Sequence, residues 1–224
     1  MWRWLSVLPL ALAMGPAAAA GLRYLALGDS YTIGEGVPEA ARWPAQLAQA
    51  LRARGFDVAT PQYVARTGWT TDELAAAMDA EDFAPPHDLV SLLIGVNNQY
   101  RGRDAQQYQR EFAALLERAI ELAGGRSGRV FVLSIPDWGV TPFAAGSDRD
   151  PAQVARELDD YNALAQAACR RRNVAFVDIT PLSRGVARAE LTADGLHPSA
   201  AQYSRWAALA EPVAAARLPP PTQP

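Results

Sequence analysis

The chain has 224 residues, half of them hydrophobic and 20% charged, with a formal net charge of −3. That is globular composition, long enough for one sizeable core, and the mixed acids and bases leave no basic footprint for nucleic acid. Two histidines far apart and a single cysteine exclude an intramolecular disulfide and leave few ligand sets for a metal ion, so no metal or other cofactor is expected.

In chain order, residues 1–20 stand apart. "MWRW" carries one positive charge at Arg3, "LSVLPLALAM" is apolar, and Ala18 and Ala20 fit an A-x-A cleavage pattern that leaves Gly21 as the mature N-terminus. The apolar run is broken by Pro9 and is short for a bilayer span of about 20 residues. The expectation is a cleaved signal peptide over 1–20, a periplasmic or secreted mature chain, and no stable membrane insertion afterwards. No cysteine near the cut offers a site for lipid attachment.

After Gly21, short apolar runs alternate with longer amphipathic ones. "LRYLALG" reads as a first strand. "WPAQLAQALRARG" spaces Leu47 and Leu51 at helical intervals and stops at Gly55. A second extended segment lies in "FDVATPQYVARTG", followed by the helix "TTDELAAAMDA" with Thr70 or Thr71 as N-cap. "HDLVSLLIG" is almost continuously apolar, as expected of a strand covered on both faces. The next helix sets Tyr108, Phe112, Leu115, Leu116 and Ala119 on one face, and "RVFVLSIP" is a fourth strand. A Pro/Gly-containing loop from Pro136 to Asp150 leads to the helix "PAQVARELDDYNALAQAACRRR", in which Cys169 reads as a small core hydrophobe. "VAFVDIT" is the fifth strand, and a helix within "PSAAQYSRWAALAEPVAAA" is the last.

Strands alternating with helices imply βαβ units, a parallel sheet and helices on both faces. The expected organisation is one α/β domain over 21–217, three-layer α/β/α, followed by a disordered tail over 218–224. In open parallel sheets, ligands gather beyond the carboxyl ends of the strands. Gly28-Asp29-Ser30, Gly68 and Gly95-Val96-Asn97 all fall at such ends.

A serine nucleophile needs a base, and the base an orienting partner. His87 precedes the third strand, at the opposite end of the sheet, and reads as a surface or strand-cap residue. His197 stands in "LTADGLHPSA" directly before the last helix, three residues after Asp194, close enough for a carboxylate to fix the imidazole tautomer. Oxyanion donors are available from the Ser30 N–H, the Gly68 N–H and the Asn97 amide. Each residue alone is as compatible with a turn or a cap as with chemistry.

Together, "GDS", "ARTG", "GVNN" and "DGLH", in this order, resemble the four blocks of the SGNH (GDSL) hydrolase family, over essentially the whole mature chain. The resemblance implies Ser30 as nucleophile, His197 as general base and then acid, Asp194 orienting it, and Ser30, Gly68 and Asn97 around the oxyanion. It also implies a flavodoxin-like fold with five parallel strands, and ester hydrolysis through an acyl-enzyme. Two positions depart from the family pattern. Tyr31 follows the serine where the older motif name has Leu, and Asn98 stands where many members carry Asp. Asp29 is expected to brace the serine turn rather than to take part in the chemistry.

Tyr31, Trp43, Trp69, Tyr100, Trp138 and Phe143 are near the site segments and are candidates for an apolar acyl or aryl pocket or for simple burial against the loops. Arg101 and Arg103 read as solvated loop residues or as contacts for a polar substrate group. The substrate class is a small or medium acyl ester, with acylated carbohydrate, lysophospholipid or thioester left open. The alternative is a catalytically silent module that binds acylated glycans or lipids; the complete Ser/Gly/Asn/Asp/His set weighs against it. Nucleotide binding lacks the required glycine spacing.

Overall fold

The computed structural model describes residues 21–221 apart from Pro85. The expected signal peptide therefore lies outside the described residues. Five strands form one parallel sheet: β1 (Tyr24–Gly28), β2 (Gln62–Ala65), β3 (Leu89–Leu93), β4 (Val130–Leu133) and β5 (Ala175–Val177), in the order β2-β1-β3-β4-β5. The three inner strands are buried at every position, which is why they read as nearly continuous apolar runs. Registers such as Gly28↔Ala65 and Gly28↔Leu93 bring the carboxyl ends of β1, β2 and β3 level with one another.

Nine α-helices are named in chain order among the described residues: α1 (Ser30–Ile33), α2 (Trp43–Ala53), α3 (Thr71–Ala80), α4 (Val96–Tyr100), α5 (Ala105–Leu122), α6 (Pro142–Ala145), α7 (Pro151–Arg172), α8 (Thr180–Arg184) and α9 (Ala200–Ala215). Helices α2 and α9 pack together on one face of the sheet, and α5 packs on α3 and α7 on the other. The expected three-layer α/β fold is observed. The buried face of α5 contains Tyr108, Phe112, Leu115, Leu116 and Ala119, the spacing of one helical stripe. Tyr108 stacks on Tyr161 of α7, with ring centroids 4.3 Å apart. Cys169 is fully buried, and burial pushes its thiol up to about 12, consistent with a packing role.

Three expectations are corrected. The loop over 136–150 contains a helical turn at Trp138–Val140 and the short helix α6, whose N-cap Thr141 precedes Pro142. His87 is buried, not superficial: its ring Nδ1 lies 3.3 Å from the Leu122 carbonyl at the amino end of β3. Leu218, assigned to a disordered tail, is buried in the core cluster; Pro219–Pro221 have no regular structure, and 222–224 lie outside the described residues.

Candidate active site

The sheet order reverses between β1 and β3, and the crevice beyond their carboxyl ends is where such sheets take up ligands. The residue types found there follow from how each strand hands over to the next element. Gly28 closes β1 because a Cβ at this position would collide with the Leu93 carbonyl and the Thr32 side chain. Asp29 then caps α1, its Oδ1 accepting the Tyr31 N–H at 3.0 Å. Ser30 is the first residue of α1, so its own N–H has no intrahelical acceptor. The short helix stops at Gly34, whose φ of 71° is the left-handed conformation that ends helices.

After β2, the Trp69 N–H closes a turn onto the Arg66 carbonyl at 3.3 Å, and Gly68 sits in it with φ 87°. Arg101 donates to the Gly68 carbonyl at 2.6 Å and to Glu73 at 3.2 Å, which fixes the orientation of that peptide. After β3, Gly95 has φ 130°, and a Cβ there would lie 2.6 Å from the Tyr108 ring, so the entry into α4 requires glycine. Asn97 Nδ2 donates one hydrogen to the Trp69 carbonyl at 2.9 Å. A primary amide has a second N–H, which remains for another acceptor.

Asn98 turns the other way. It is fully buried, donates to Thr71 Oγ1 at 2.6 Å and accepts the Thr71 N–H at 3.1 Å. It thereby clamps the start of α3, and Thr71 Oγ1 in turn donates to Glu111. This accounts for an amide rather than a carboxylate at position 98: the side chain must donate and accept at once.

The loop before α9 folds back on itself, with Leu191 bridged to Pro198 and the Ser199 N–H on the Glu190 carbonyl at 2.8 Å. Asp194 Oδ1 accepts the backbone N–H groups of Leu196 and His197 at 2.8 and 3.0 Å and the Thr192 hydroxyl at 2.7 Å. Its Oδ2 lies 2.6 Å from His197 Nδ1. Partial burial would raise the Asp194 carboxyl, but the hydrogen bonds from His197, Thr192 and the two backbone donors outweigh it and hold the group well below the usual carboxylate range. An ionised carboxylate on Nδ1 keeps the proton there and leaves Nε2 as an acceptor.

Ser30, Gly68, Asn97 and His197 all line one open cleft of about 150 Å³, and Asp194 stands behind the histidine. Thr67, Val96 and Leu196 also line it; each immediately precedes Gly68, Asn97 or His197 within its block, which is the available sequence clue to them. Of the aromatic candidates, Tyr31, Tyr100, Trp138 and Phe143 line the cleft. Trp138 lies 5.2 Å from Tyr100 and 6.1 Å from Phe143, forming a continuous aromatic wall. Its indole N–H donates to Gln99 Oε1 at 2.7 Å, which ties the wall to α4. Trp43 is instead buried against Phe131, and Trp69 contributes its carbonyl to Asn97. Arg103 pairs with Asp72. Among the described residues, no cluster of His, Cys, Asp and Glu side chains is placed to hold a metal ion.

Residues 26–205 match the GDSL-like lipase/acylhydrolase family. The chain belongs to this family. It is a carboxylic ester hydrolase, as the resemblance in the four blocks implies. Solved structures share the fold. TesA is 22% identical over 88% of this chain and 99% of its own, with a TM-score of 0.71. A lipase/acylhydrolase from Enterococcus faecalis is 22% identical over 90% and 100%, with a TM-score of 0.69. A variant of Axe2, an acetyl xylan esterase from Geobacillus stearothermophilus, is 21% identical over 87% and 95%, with a TM-score of 0.66. No curated protein matches the sequence.

Proposed function

We propose that the protein hydrolyses small to medium acyl esters through an acyl-enzyme on Ser30. The observation that carries this reading is the 2.6 Å contact between Asp194 Oδ2 and His197 Nδ1, beside a cleft that His197 shares with Ser30. Ser30 Oγ attacks the ester carbonyl carbon while its proton passes to His197 Nε2. The carbonyl oxygen becomes an oxyanion that accepts from the Ser30 N–H, the Gly68 N–H and the free N–H of Asn97 Nδ2. Collapse breaks the bond to the alcohol, which leaves with the proton from His197. Water then attacks the acyl carbon, His197 takes its proton and returns it to Ser30 Oγ, and the acid departs. Asp194 holds the ring and stabilises the imidazolium formed in both halves.

The apolar and aromatic lining supports an uncharged acyl or aryl group as the recognised part. The composition of residues 1–20 supports export to the periplasm or beyond, testable by the N-terminal mass of protein recovered from that compartment.

The test is hydrolysis of a p-nitrophenyl ester series by wild type, Ser30→Ala and His197→Ala, with fluorophosphonate labelling in parallel. Turnover and labelling by wild type, with turnover lost in both variants and labelling lost in Ser30→Ala, is the expected result. A wild type that binds the esters but neither turns them over nor takes the label would instead describe a silent binding module.

A further inference from the structure

Tyr31 stands between two spaces. On one side it lines the cleft that contains Ser30 and His197. On the other it lines a separate, much smaller crevice of about 10 Å³, whose walls include Pro136, Val186, Leu191, Pro198 and Trp206. Leu196 also borders both spaces. The Tyr31 ring is buried and wedged, 5.4 Å from the His197 ring and 6.0 Å from the Trp206 ring, tilted against each. Its backbone cannot yield easily either. It lies in a four-residue helix whose cap, Asp29, holds the Tyr31 N–H, and the helix ends one turn later at a left-handed glycine.

We propose that Tyr31 is a specificity-determining residue: its ring closes the inner end of the cleft and limits the acyl chain that the site accepts. This rests on the hydrolase reading above and assigns its substrate class, short acyl esters rather than long-chain ones. Behind the ring the crevice is also lined by the polar Asp137, Thr141, Ser183 and Gln202, and its apolar side, Val186, Leu191 and Trp206, is what an alkyl chain would enter favourably. Leucine at position 31 would keep the hydrophobic contact with Trp206 but remove the planar ring, joining cleft and crevice. Each further methylene then buried contributes about 0.8 kcal/mol, or roughly fourfold in kcat/KM.

The experiment compares kcat/KM for p-nitrophenyl butanoate and octanoate in wild type, Tyr31→Leu and Tyr31→Phe. The octanoate-to-butanoate ratio is independent of the fraction of correctly folded enzyme, so partial loss of stability does not obscure it. The expected result is a ratio raised at least about fourfold in Tyr31→Leu, one methylene's worth, and unchanged in Tyr31→Phe, which keeps the ring. Leu196→Ala, which widens the same partition from the other side, raises the ratio in the same sense. Wild-type turnover and fluorophosphonate labelling with the same ratio in Tyr31→Leu would overturn the partition role and leave the hydrolase standing. Absence of both turnover and labelling in wild type would overturn the two together.

Discussion

Asp29 is a carboxyl buried in the core, and replacing it with asparagine separates its charge from its hydrogen bonding. The carboxyl is fully buried, with Oδ1 on the Tyr31 N–H and Oδ2 without a partner among the described residues. Burial outweighs the hydrogen bonds from the Tyr31 and Asp29 backbone and raises the group from 3.8 to about 7. A carboxyl raised on folding is stabilising in its protonated form. Its contribution is complete below about pH 4, where folded and unfolded chains are both protonated. It falls by about 1.36 kcal/mol per pH unit as the unfolded chain releases a proton that the folded chain retains, and it levels off above about pH 7.

The Asp29→Asn variant would keep the acceptor for the Tyr31 N–H, and asparagine caps helices as well as aspartate does, but it does not titrate. The stability of Asp29→Asn relative to wild type therefore rises by roughly 2 kcal/mol between about pH 5 and pH 7 and is flat from about pH 7.5 to 8.5. Urea unfolding at half-unit steps, extrapolated to water for both proteins, measures it. A difference that stays constant across about pH 5–8 would show that Asp29 is ionised throughout, its burial compensated by more than the backbone donors at its turn.

Asn97→Ala removes one of the proposed oxyanion donors and lowers kcat by about 10²–10³-fold with little change in KM, as steady-state kinetics on a short p-nitrophenyl ester will show. Asp194→Asn keeps the shape of the loop but not the charge behind His197; kcat falls by roughly 10²–10⁴-fold. Because the Asp194 carboxyl is depressed in the folded chain, its stabilising contribution is present above the ordinary carboxylate range and lost as the pH falls below it, so the asparagine variant loses less stability than wild type in acid. Asn98→Asp cannot donate to Thr71 Oγ1 when ionised. It destabilises by about 1–3 kcal/mol, with a larger fall in Tm at about pH 8 than at about pH 5, where the buried carboxyl takes up the missing proton.

The strands are legible because burial writes itself directly into sequence. Leu89–Leu93 and Val130–Leu133 are covered on both faces, so they are apolar at nearly every position. The long helices α5 and α7 are legible for the related reason that one buried stripe imposes a period. The short helices are not. Four or five residues of α1, α4, α6 or α8 are too few to show a period, and each exists because of its boundary: an Asp29 cap, a Gly95 at φ 130°, a Thr141–Pro142 start, a proline in the first turn of α8. His87 escapes a sequence reading for the opposite reason. Its polar partners Leu122, Gln62 and Arg23 are distant in sequence.

That division explains why the site is readable by block and unreadable in its lining. Three of the four blocks lie where strands hand over to short helices or turns and the fourth in the loop before α9, and the constraints there are local: a glycine where a Cβ would strike Leu93 or Tyr108, an aspartate within reach of the next backbone N–H. Local constraints survive in a short string of letters. The cleft's apolar wall is assembled from α1, α4, the 136–146 segment and the His197 loop, and it is coupled by contacts such as Trp138 to Gln99 and the Phe143 N–H to the Gly195 carbonyl at 3.1 Å. Those contacts tie the cleft-lining aromatics to the same segments that carry Asn97 and His197. A substitution behind the wall that breaks either tie, such as Gln99→Ala, should therefore lower kcat as well as change chain-length preference, whereas the Tyr31→Leu and Leu196→Ala changes act chiefly on the preference.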